Sequence, residues 1–224
     1  MLFLFLLDLL MRLFSVFFLF TYSLLFSQQK IIEKFSIVSN EIEVFTEGLD
    51  DIIIETSTTN EVEILLLNDN KLPLYVIRSE KSFVLQITFE IGNESEFTTE
   101  VFRKFITKRL ERARVVVKIP KNKKVVIYGK TIGVTCKNYE GDLGIFIDKG
   151  NIQLGDVKGN TNITLFLGNV YGRVSNTELD IITSKGRVLV NKENKKSPYL
   201  KKLDRLTNKF IVKSIHANIY ITEN

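Results

Sequence analysis

The sequence predicts an all-β fold: a parallel β-solenoid with 18-residue coils, preceded by strand-rich irregular coils and one short basic amphipathic helix. Gly150, Gly168 and Gly186 lie 18 residues apart, and each is followed by Asn or Arg and then by Ile or Val. Equal spacing without gaps is the signature of a stacked repeat. Within each repeat the apolar positions lie two apart, which is the period of a β-strand.

The chain begins with a long apolar run. We interpret residues 1–27 as a signal peptide, with Met11 as an alternative start, Arg12 as its basic segment and a cleavage point after Ser27. An uncleaved anchor is the other interpretation, because the run is long enough to span a bilayer. Both interpretations predict export, to the periplasm, the outer membrane surface or the medium.

Residues 28–120 are predicted to form a strand-rich N-terminal part. Short apolar or alternating runs such as EIEVF, DIIIET and EVEILLL are separated by Asn, Asp, Gly and Thr clusters. This pattern is typical of strands joined by turns. The runs fit either irregular coils of the same solenoid or a separate sheet.

A helix is predicted near 97–113, where apolar residues recur at helical spacing. Its apolar stripe consists of Val101, Phe102, Phe105, Ile106, Leu110 and Ala113. Basic side chains lie mostly off this stripe, and five of them form the candidate ligand-binding site: Arg103, Lys104, Lys108, Arg109 and Arg112. A basic amphipathic helix is typical of proteins that bind an anionic surface, and also of a plain solvated helix face.

The regular coils are predicted over residues 121–224. Aligning 121–138, 139–156, 157–174 and 175–192 places aliphatic residues in shared columns, so we expect these four segments to stack in chain order. An inserted loop, 193–209, interrupts them and is expected to be a solvated excursion or a short helix. A fifth coil then returns to the same columns with Phe210, Val212, Ala217, Ile219 and Ile221. A hexapeptide helix is excluded, because positions 143, 149 and 155 read Leu, Lys and Gly.

Charge is unevenly distributed along the chain. Residues 28–97 hold 14 acidic and 5 basic side chains, whereas residues 98–224 hold 11 acidic and 25 basic ones. Such asymmetry is typical of self-association, acidic end to basic end, or of a basic face for an anionic polymer, lipid headgroup or lipopolysaccharide. It also fits a surface whose charges only keep the protein soluble.

The sequence holds few residues of the types that catalytic and metal sites need. One His and one Cys cannot build a catalytic triad or a zinc site, and we predict no catalytic residue, no metal and no cofactor. Cys136 lies in an inward column with Leu154 and is predicted to be buried. His216 falls at a turn and is predicted to be an ordinary surface residue. No recognised nucleic-acid motif is present, so no nucleic-acid partner is expected.

Two polar columns are the remaining candidates. Asp142, Asn160 and Glu178 share one column, which would place the two carboxylates ~9–10 Å apart, near the upper limit for an inverting glycosidase. We see no aromatic sugar platform near that pair. The second column holds Asn151, Asn169 and Asn218, with Arg187 intervening, and is interpreted as a structural amide ladder.

Several passages resemble a family of secreted bacterial proteins known as candidate adhesin heads, or β-strand-repeat domains of unknown function. They are EGLDDIIIET, RKFITKRLERARVVVKIPK, YEGDLGIFIDKGNIQL and LGNVYGRV. A leader ending in FSQ is similar to those of Bacteroidetes proteins. The resemblance implies a cell-envelope β-solenoid with an adhesin role, and it carries over no binding residue because the family has no defined site motif.

Three functions follow as hypotheses. The first is a non-enzymatic cell-envelope or secreted β-solenoid that binds a surface, a glycan or itself in the manner of an adhesin. Its partner would be an anionic glycan, lipopolysaccharide, another envelope component or a second copy of the chain. The alternatives are a structural, self-assembling envelope protein and a carbohydrate-active β-helix enzyme.

Overall fold

The computed structural model describes residues 30–67, 74–92, 113–203 and 208–224, and this part of the chain is all-β with no helix. The strands are β1 (Lys30–Ser36), β2 (Glu41–Phe45), β3 (Leu49–Thr56), β4 (Glu61–Leu66), β5 (Leu74–Lys81), β6 (Val84–Ile91), β7 (Ala113–Ile119), β8 (Lys124–Thr131), β9 (Gly133–Lys137), β10 (Leu143–Asp156), β11 (Thr161–Val174), β12 (Thr177–Thr183), β13 (Val188–Val190), β14 (Glu193–Lys195), β15 (Tyr199–Lys201) and β16 (Asn208–Glu223). They belong to one open sheet.

The sheet has two faces, because three long strands, β10, β11 and β16, each continue from one face into the other. The first face has the order β5-β6-β2-β8-β10-β11-β16-β12-β15. The second face has the order β1-β4-β7-β3-β9-β10-β11-β16-β13-β14. We call the two segments at one level, one on each face, a layer. Buried side chains of both faces form one core cluster.

Layers in the middle of the molecule follow the chain order. β8 with β9, then β10, then β11 lie side by side and parallel. Leu143 pairs with Val125 on one side and with Thr161 on the other, an offset of 18 residues each way. These are the pairs that the sequence columns predict. Because side chains alternate along a strand, an unchanged register keeps the aliphatic columns inside.

The predicted order is wrong at the C-terminal end. Segments 157–174 and 175–192 were expected to be neighbours, but β16 lies between β11 and β12. Val212 of β16 pairs with Ile163 on one side and with Ile181 on the other. The 17 residues between β13 and β16 let the chain return to an earlier level, and the aliphatic columns of β16 fit there equally well.

The N-terminal part uses the same device. β2 and β3 lie between β6 with β7 and β8 with β9. Their register continues the inward columns, since Ile42 pairs with Val125 and Ile52 pairs with Val134. The strand-rich N-terminal part therefore stacks directly on the regular segments.

Antiparallel strands cover both ends. β5 pairs with β6, β4 with β7 and β1 with β4 at one end, and β15 pairs with β12 and β14 with β13 at the other. The described residues of 193–209 are exposed or half-buried, as in a solvated excursion, but two short parts of this segment form the strands β14 and β15 and not a helix. A stack needs such strands because an open terminal layer exposes unpaired backbone groups.

Several predictions concern residues outside the described ranges. These are the signal peptide 1–27, most of the helix near 97–113 and the basic site Arg103, Lys104, Lys108, Arg109 and Arg112. The predicted helix is wrong at its last residue, because Ala113 is the buried first residue of the valine-rich strand β7 and pairs with Leu49 of β3. Among the described residues, no helix is long and apolar enough to cross a membrane.

The corner between the faces explains the glycine column. An added Cβ would lie 1.9 Å from the Ile132 carbonyl oxygen at Gly150 and 1.8 Å from the Gly150 carbonyl oxygen at Gly168. In β16 the column holds Ala217, and two buried hydroxyls hold this corner. The Ala217 amide donates to Ser214 Oγ (2.9 Å), and Thr183 Oγ1 donates to the Ala217 carbonyl (3.0 Å).

Candidate binding face

The predicted carboxylate pair does not form. Because β16 is inserted, Lys209 lies between Asn160 and Glu178, and the Lys209 amide donates to Asn160 Oδ1 at 3.1 Å. Asp142 and Glu178 are thus three strands apart, ~14 Å rather than two strands apart. Asp142 Oδ1 instead accepts the Asn160 backbone amide at 2.7 Å. No group of three or more His, Cys, Asp or Glu in the described ranges converges on a possible metal position.

The second polar column does form an amide ladder on the second face. Asn169 Nδ2 donates to Asn151 Oδ1 (2.9 Å), and Asn218 Nδ2 donates to Asn169 Oδ1 (3.2 Å). The expectation that Arg187 intervenes is wrong, because the inserted β16 brings the three asparagines together. Arg187 ends the ladder, where its amide donates to Asn218 Oδ1 (3.1 Å). Each asparagine keeps at least one side-chain N–H and one lone pair for a ligand.

A row of outward side chains lies beside this ladder. Thr135, Gln153, Tyr171 and Tyr220 occupy neighbouring strands at one register position. The two tyrosine rings stack with centroids 4.9 Å apart and an interplanar angle of 7°. Tyr220 covers one face of the Tyr171 ring, and the other face is directed toward the shorter Gln153 and Thr135.

These residues line a groove of about 690 Å³ on the second face. Asn151 and Asn169 of the amide ladder line one side, Tyr171 lies in the middle, and Lys137 and Arg173 line the other side. Lys137 has Glu55 as a distant ion-pair partner at 3.8 Å. Arg173 has no ion-pair partner among the described residues. The groove therefore combines a ring face, repeated amides and positive charge.

The stacked tyrosines could have been recognised in the sequence. Tyr171 and Tyr220 each follow an aligned column residue, Val170 and Ile219 respectively. Stacking in chain order, however, places Leu189 between them. The tyrosine pair became visible only with the inserted strand.

A second aromatic row lies on the first face and contradicts the expectation that no aromatic platform is near Asp142. Phe45, Tyr128 and Phe146 stack with centroid distances of 5.3 and 5.6 Å. Tyr128, Phe146 and Asp142 line a cavity of about 270 Å³. Burial raises the pKa of Tyr128, and the carboxylate of Glu43 adds to the rise. The 18-residue spacing of Tyr128 and Phe146 was the available signal.

Cys136 is buried, as predicted. It pairs with Leu154 on one side and Ile54 on the other, and burial raises the pKa of its thiol to about 12. His216 lies at the corner, as an edge-to-face neighbour of Phe166 with ring centroids 5.4 Å apart.

The most acidic stretch of the chain does not form an end of the described molecule. Residues 41–56 carry six acidic and no basic side chains, yet they lie inside the stack. Several of their carboxylates pair with cations of neighbouring strands, as in Glu41 with Lys124 (2.8 Å) and Asp51 with Arg114 (2.8 Å). The charge difference along the sequence is thus partly neutralised between adjacent layers.

Comparison with known proteins bears on the fold. A candidate cell adhesion protein from Clostridium sporogenes superimposes with a TM-score of 0.54 and 13% identity, over 88% of this chain and 98% of that chain. The two chains share a fold. Candidate adhesins from Bacteroides fragilis and Parabacteroides distasonis have TM-scores of 0.28 and 0.27, with 14% and 16% identity, over 88% of this chain and 99% and 98% of theirs. No protein-family model and no curated protein sequence matches.

Proposed function

We propose that the protein is a non-enzymatic, adhesin-like β-solenoid that is exported to the cell envelope or the medium and binds a glycan in the groove of the second face. The observation that carries the proposal is the Tyr171 ring, which has one face directed into a groove bordered by the amide ladder. The C–H groups of a sugar ring pack on an aromatic face, while its hydroxyls need paired donors and acceptors. Such a combination is typical of small-molecule sites.

Charge at the groove favours an acidic glycan. Arg173 and Lys137 lie on the side opposite the asparagines. A guanidinium binds a carboxylate through two parallel hydrogen bonds, which gives direction as well as energy. The repeat of the ladder, one amide per strand at ~4.8 Å, suits a polymer that runs along the stack.

The adhesin-like role is preferred to the two alternatives on structural grounds. A glycosidase at Asp142 and Glu178 would need carboxylates closer than three strands apart. Charge-driven stacking of acidic on basic ends would need a strongly acidic end, whereas the most acidic strands, β2 and β3, are internal. The strands at the N-terminal end, β1 and β4 to β6, carry five acidic and four basic side chains. Shared fold with the clostridial cell adhesion candidate is compatible with a binding role.

A glycan panel tests the proposal. Mature chain 28–224 would be screened for binding to neutral and acidic oligosaccharides, together with Tyr171→Ala and Arg173→Gln. We expect each substitution to weaken binding of an acidic glycan roughly tenfold, as for a residue at the centre of a contact. Tyr75→Ala, an exposed tyrosine on β5, is the matched control and should bind like the parent.

A further variant separates the groove from the basic segment predicted from sequence. Arg103, Lys104, Lys108, Arg109 and Arg112 would be neutralised together. If this variant loses binding and Tyr171→Ala does not, the binding site lies in that segment and not in the groove. Binding to no glycan at all would overturn the proposal.

A further inference from the structure

Four large apolar side chains lie exposed at the corner between the two faces, near the C-terminal end. Phe166 and Leu167 belong to β11, Ile215 to β16 and Ile182 to β12, and their exposed fractions run from 40% to 46%. The register places Phe166 beside Ile215, and Ile182 on the next strand is diagonal to Ile215, so the side chains form one patch. Phe166 is not needed in the core, because Leu165 beside it fills the inward position. Contiguous exposed apolar surface of this kind marks an interaction site.

Three lysines surround the patch. Lys149 is the register partner of Leu167, and Lys213 is the partner of Ile182. The Lys185 amide donates to the Ile215 carbonyl at 2.8 Å, which places that lysine beside β16. None of the three lysines has an ion-pair partner among the described residues. We call these seven residues the basic apolar corner.

Other titratable groups adjoin the corner on the same strands. Asp148 precedes Lys149 and lines a cavity together with Lys130. Asp180 lies two residues before Ile182, and His216 contacts Phe166. Four lysines therefore stand against two carboxylates around the apolar side chains, and the surroundings are net positive at neutral pH.

The charge distinguishes between possible partners. A second copy docked symmetrically would place the same lysines against each other, which is unfavourable. An anionic partner would neutralise them. The corner is an edge of the stack rather than a groove, and the two cavities on the faces are lined by other residues. An edge with apolar tips and basic flanks is suited to the interface of an anionic bilayer.

We propose that the basic apolar corner docks the protein on an anionic lipid bilayer. Phe166, Leu167, Ile182 and Ile215 enter the headgroup boundary, and Lys149, Lys185 and Lys213 contact lipid phosphates. This contact leaves the glycan groove on the second face open, so one molecule bridges a membrane and a glycan. The inference does not depend on the groove, because it uses different residues.

Vesicle co-sedimentation of the mature chain 28–224 tests the inference. Probes would be vesicles of phosphatidylcholine alone and vesicles containing phosphatidylglycerol. We expect binding to the anionic vesicles that weakens with salt, and a loss of roughly fivefold in partitioning for each lysine removed. The variant Lys149→Gln/Lys185→Gln/Lys213→Gln should therefore lose about a hundredfold.

Matched controls carry the same changes elsewhere. Lys192→Gln/Lys196→Gln/Lys202→Gln removes three exposed lysines near the C-terminal end, and Tyr75→Thr/Ile77→Thr removes two exposed apolar side chains on β5. Both should bind like the parent chain. Phe166→Thr/Ile215→Thr keeps residues that favour strands and should lose binding at unchanged charge. Circular dichroism would show whether each variant keeps its strand content.

Each other outcome overturns the inference. No binding to anionic vesicles excludes a bilayer partner, and equal losses in the corner and control lysine variants indicate unspecific charge attraction. Loss only on neutralising the five basic residues at 103–112 would assign membrane binding to that segment. Concentration-dependent dimers that disappear in Phe166→Thr/Ile215→Thr, without vesicle binding, would assign the corner to self-association. Tyr171→Ala should leave vesicle binding intact, which separates this test from that of the groove.

Discussion

The middle of the stack and its two ends are built from the same columns but in different order. From β8 with β9 to β11, each layer lies beside the one that follows it in the chain. At both ends the chain skips a level and a separate segment fills it, β2 with β3 at one end and β16 at the other. Inserted strands pair on both sides, and antiparallel strands cover the outer layers. The middle layers thus stack in chain order, whereas near each end the chain returns to an earlier level and inserts a strand there.

The difference shows which contacts decide the neighbours of each layer. Inward columns are mostly aliphatic in every layer, so they fix the register but not the identity of the neighbour. Polar contacts between particular layers distinguish neighbours, as when Asn218 donates to Asn169 and the Lys209 amide donates to Asn160. Middle layers make contacts of the same kind, Asn169 with Asn151 and Asn160 with Asp142, but there the chain order already brings the neighbours together.

Crosslinking tests most directly whether β16 lies between β11 and β12. In the structure Thr164 is the register partner of Lys213, and Lys213 is the partner of Ile182. We expect Thr164→Cys/Lys213→Cys to form a disulfide on oxidation, because adjacent strands bring Cα atoms to ~4.8 Å. Thr164→Cys/Ile182→Cys should stay reduced, since two strands separate the residues by ~9.6 Å. The reverse result would restore the chain order at this end.

The sequence predicts the middle layers, which follow the chain order, better than it predicts the ends. Equal spacing predicts the register of Leu143 with Thr161 and the burial of Cys136, because both depend on local alternation. The position of β16 could not be predicted, since its columns fit beside β11 or outside β12 equally well. The groove depended on that choice: Tyr171 meets Tyr220 only when β16 is inserted.

Glycine substitution at the middle corner is expected to have the largest effect on stability. A Cβ at Gly168 would lie 1.8 Å from a backbone oxygen, and its φ of 147° disfavours other residues. Gly168→Ala should lower the free energy of unfolding by about 3 kcal/mol or more. Gly155→Ala is the control, because its Cβ would meet nothing closer than 3.4 Å. Urea unfolding measures both, and similar losses would refute the crowding argument.

The hydroxyl groups at the C-terminal corner should contribute less to the free energy of unfolding than the glycine does, but by a measurable amount. Thr183 Oγ1 donates to the Ala217 carbonyl and accepts the Gly186 amide at 3.2 Å. Thr183→Val keeps the shape but removes the hydroxyl that bonds the buried Ala217 carbonyl and the partly buried Gly186 amide, so we expect a loss of about 1–3 kcal/mol in the free energy of unfolding. Thr164→Val, on the exposed side of β11, should change it by less than ~0.5 kcal/mol. Equal values for the two variants would contradict the role of the corner hydroxyl.

The smallest expected effect is a pH dependence of the unfolding free energy that comes from Cys136. This residue lies toward the N-terminal end, where β3 covers it. Burial raises the pKa of the folded thiol from 9.0 to about 12, so the folded protein keeps the proton that the unfolded chain releases. Stability from this group is therefore complete below pH 9 and is lost as pH rises toward 12. Between pH 8 and pH 10 the parent should lose about 1 kcal/mol more unfolding free energy than Cys136→Val, in which this thiol is absent.

A thiol reagent at pH 8 gives the kinetic form of the same test. Because Ile54 and Leu154 lie on either side of Cys136, the reagent reaches the thiol only when β3 or β10 separates from β9. Labelling as slow as global unfolding would mean that the inserted N-terminal strand opens only with the whole stack. Faster labelling, at a rate unchanged by Thr183→Val, would mean that the N-terminal end opens separately from the C-terminal one.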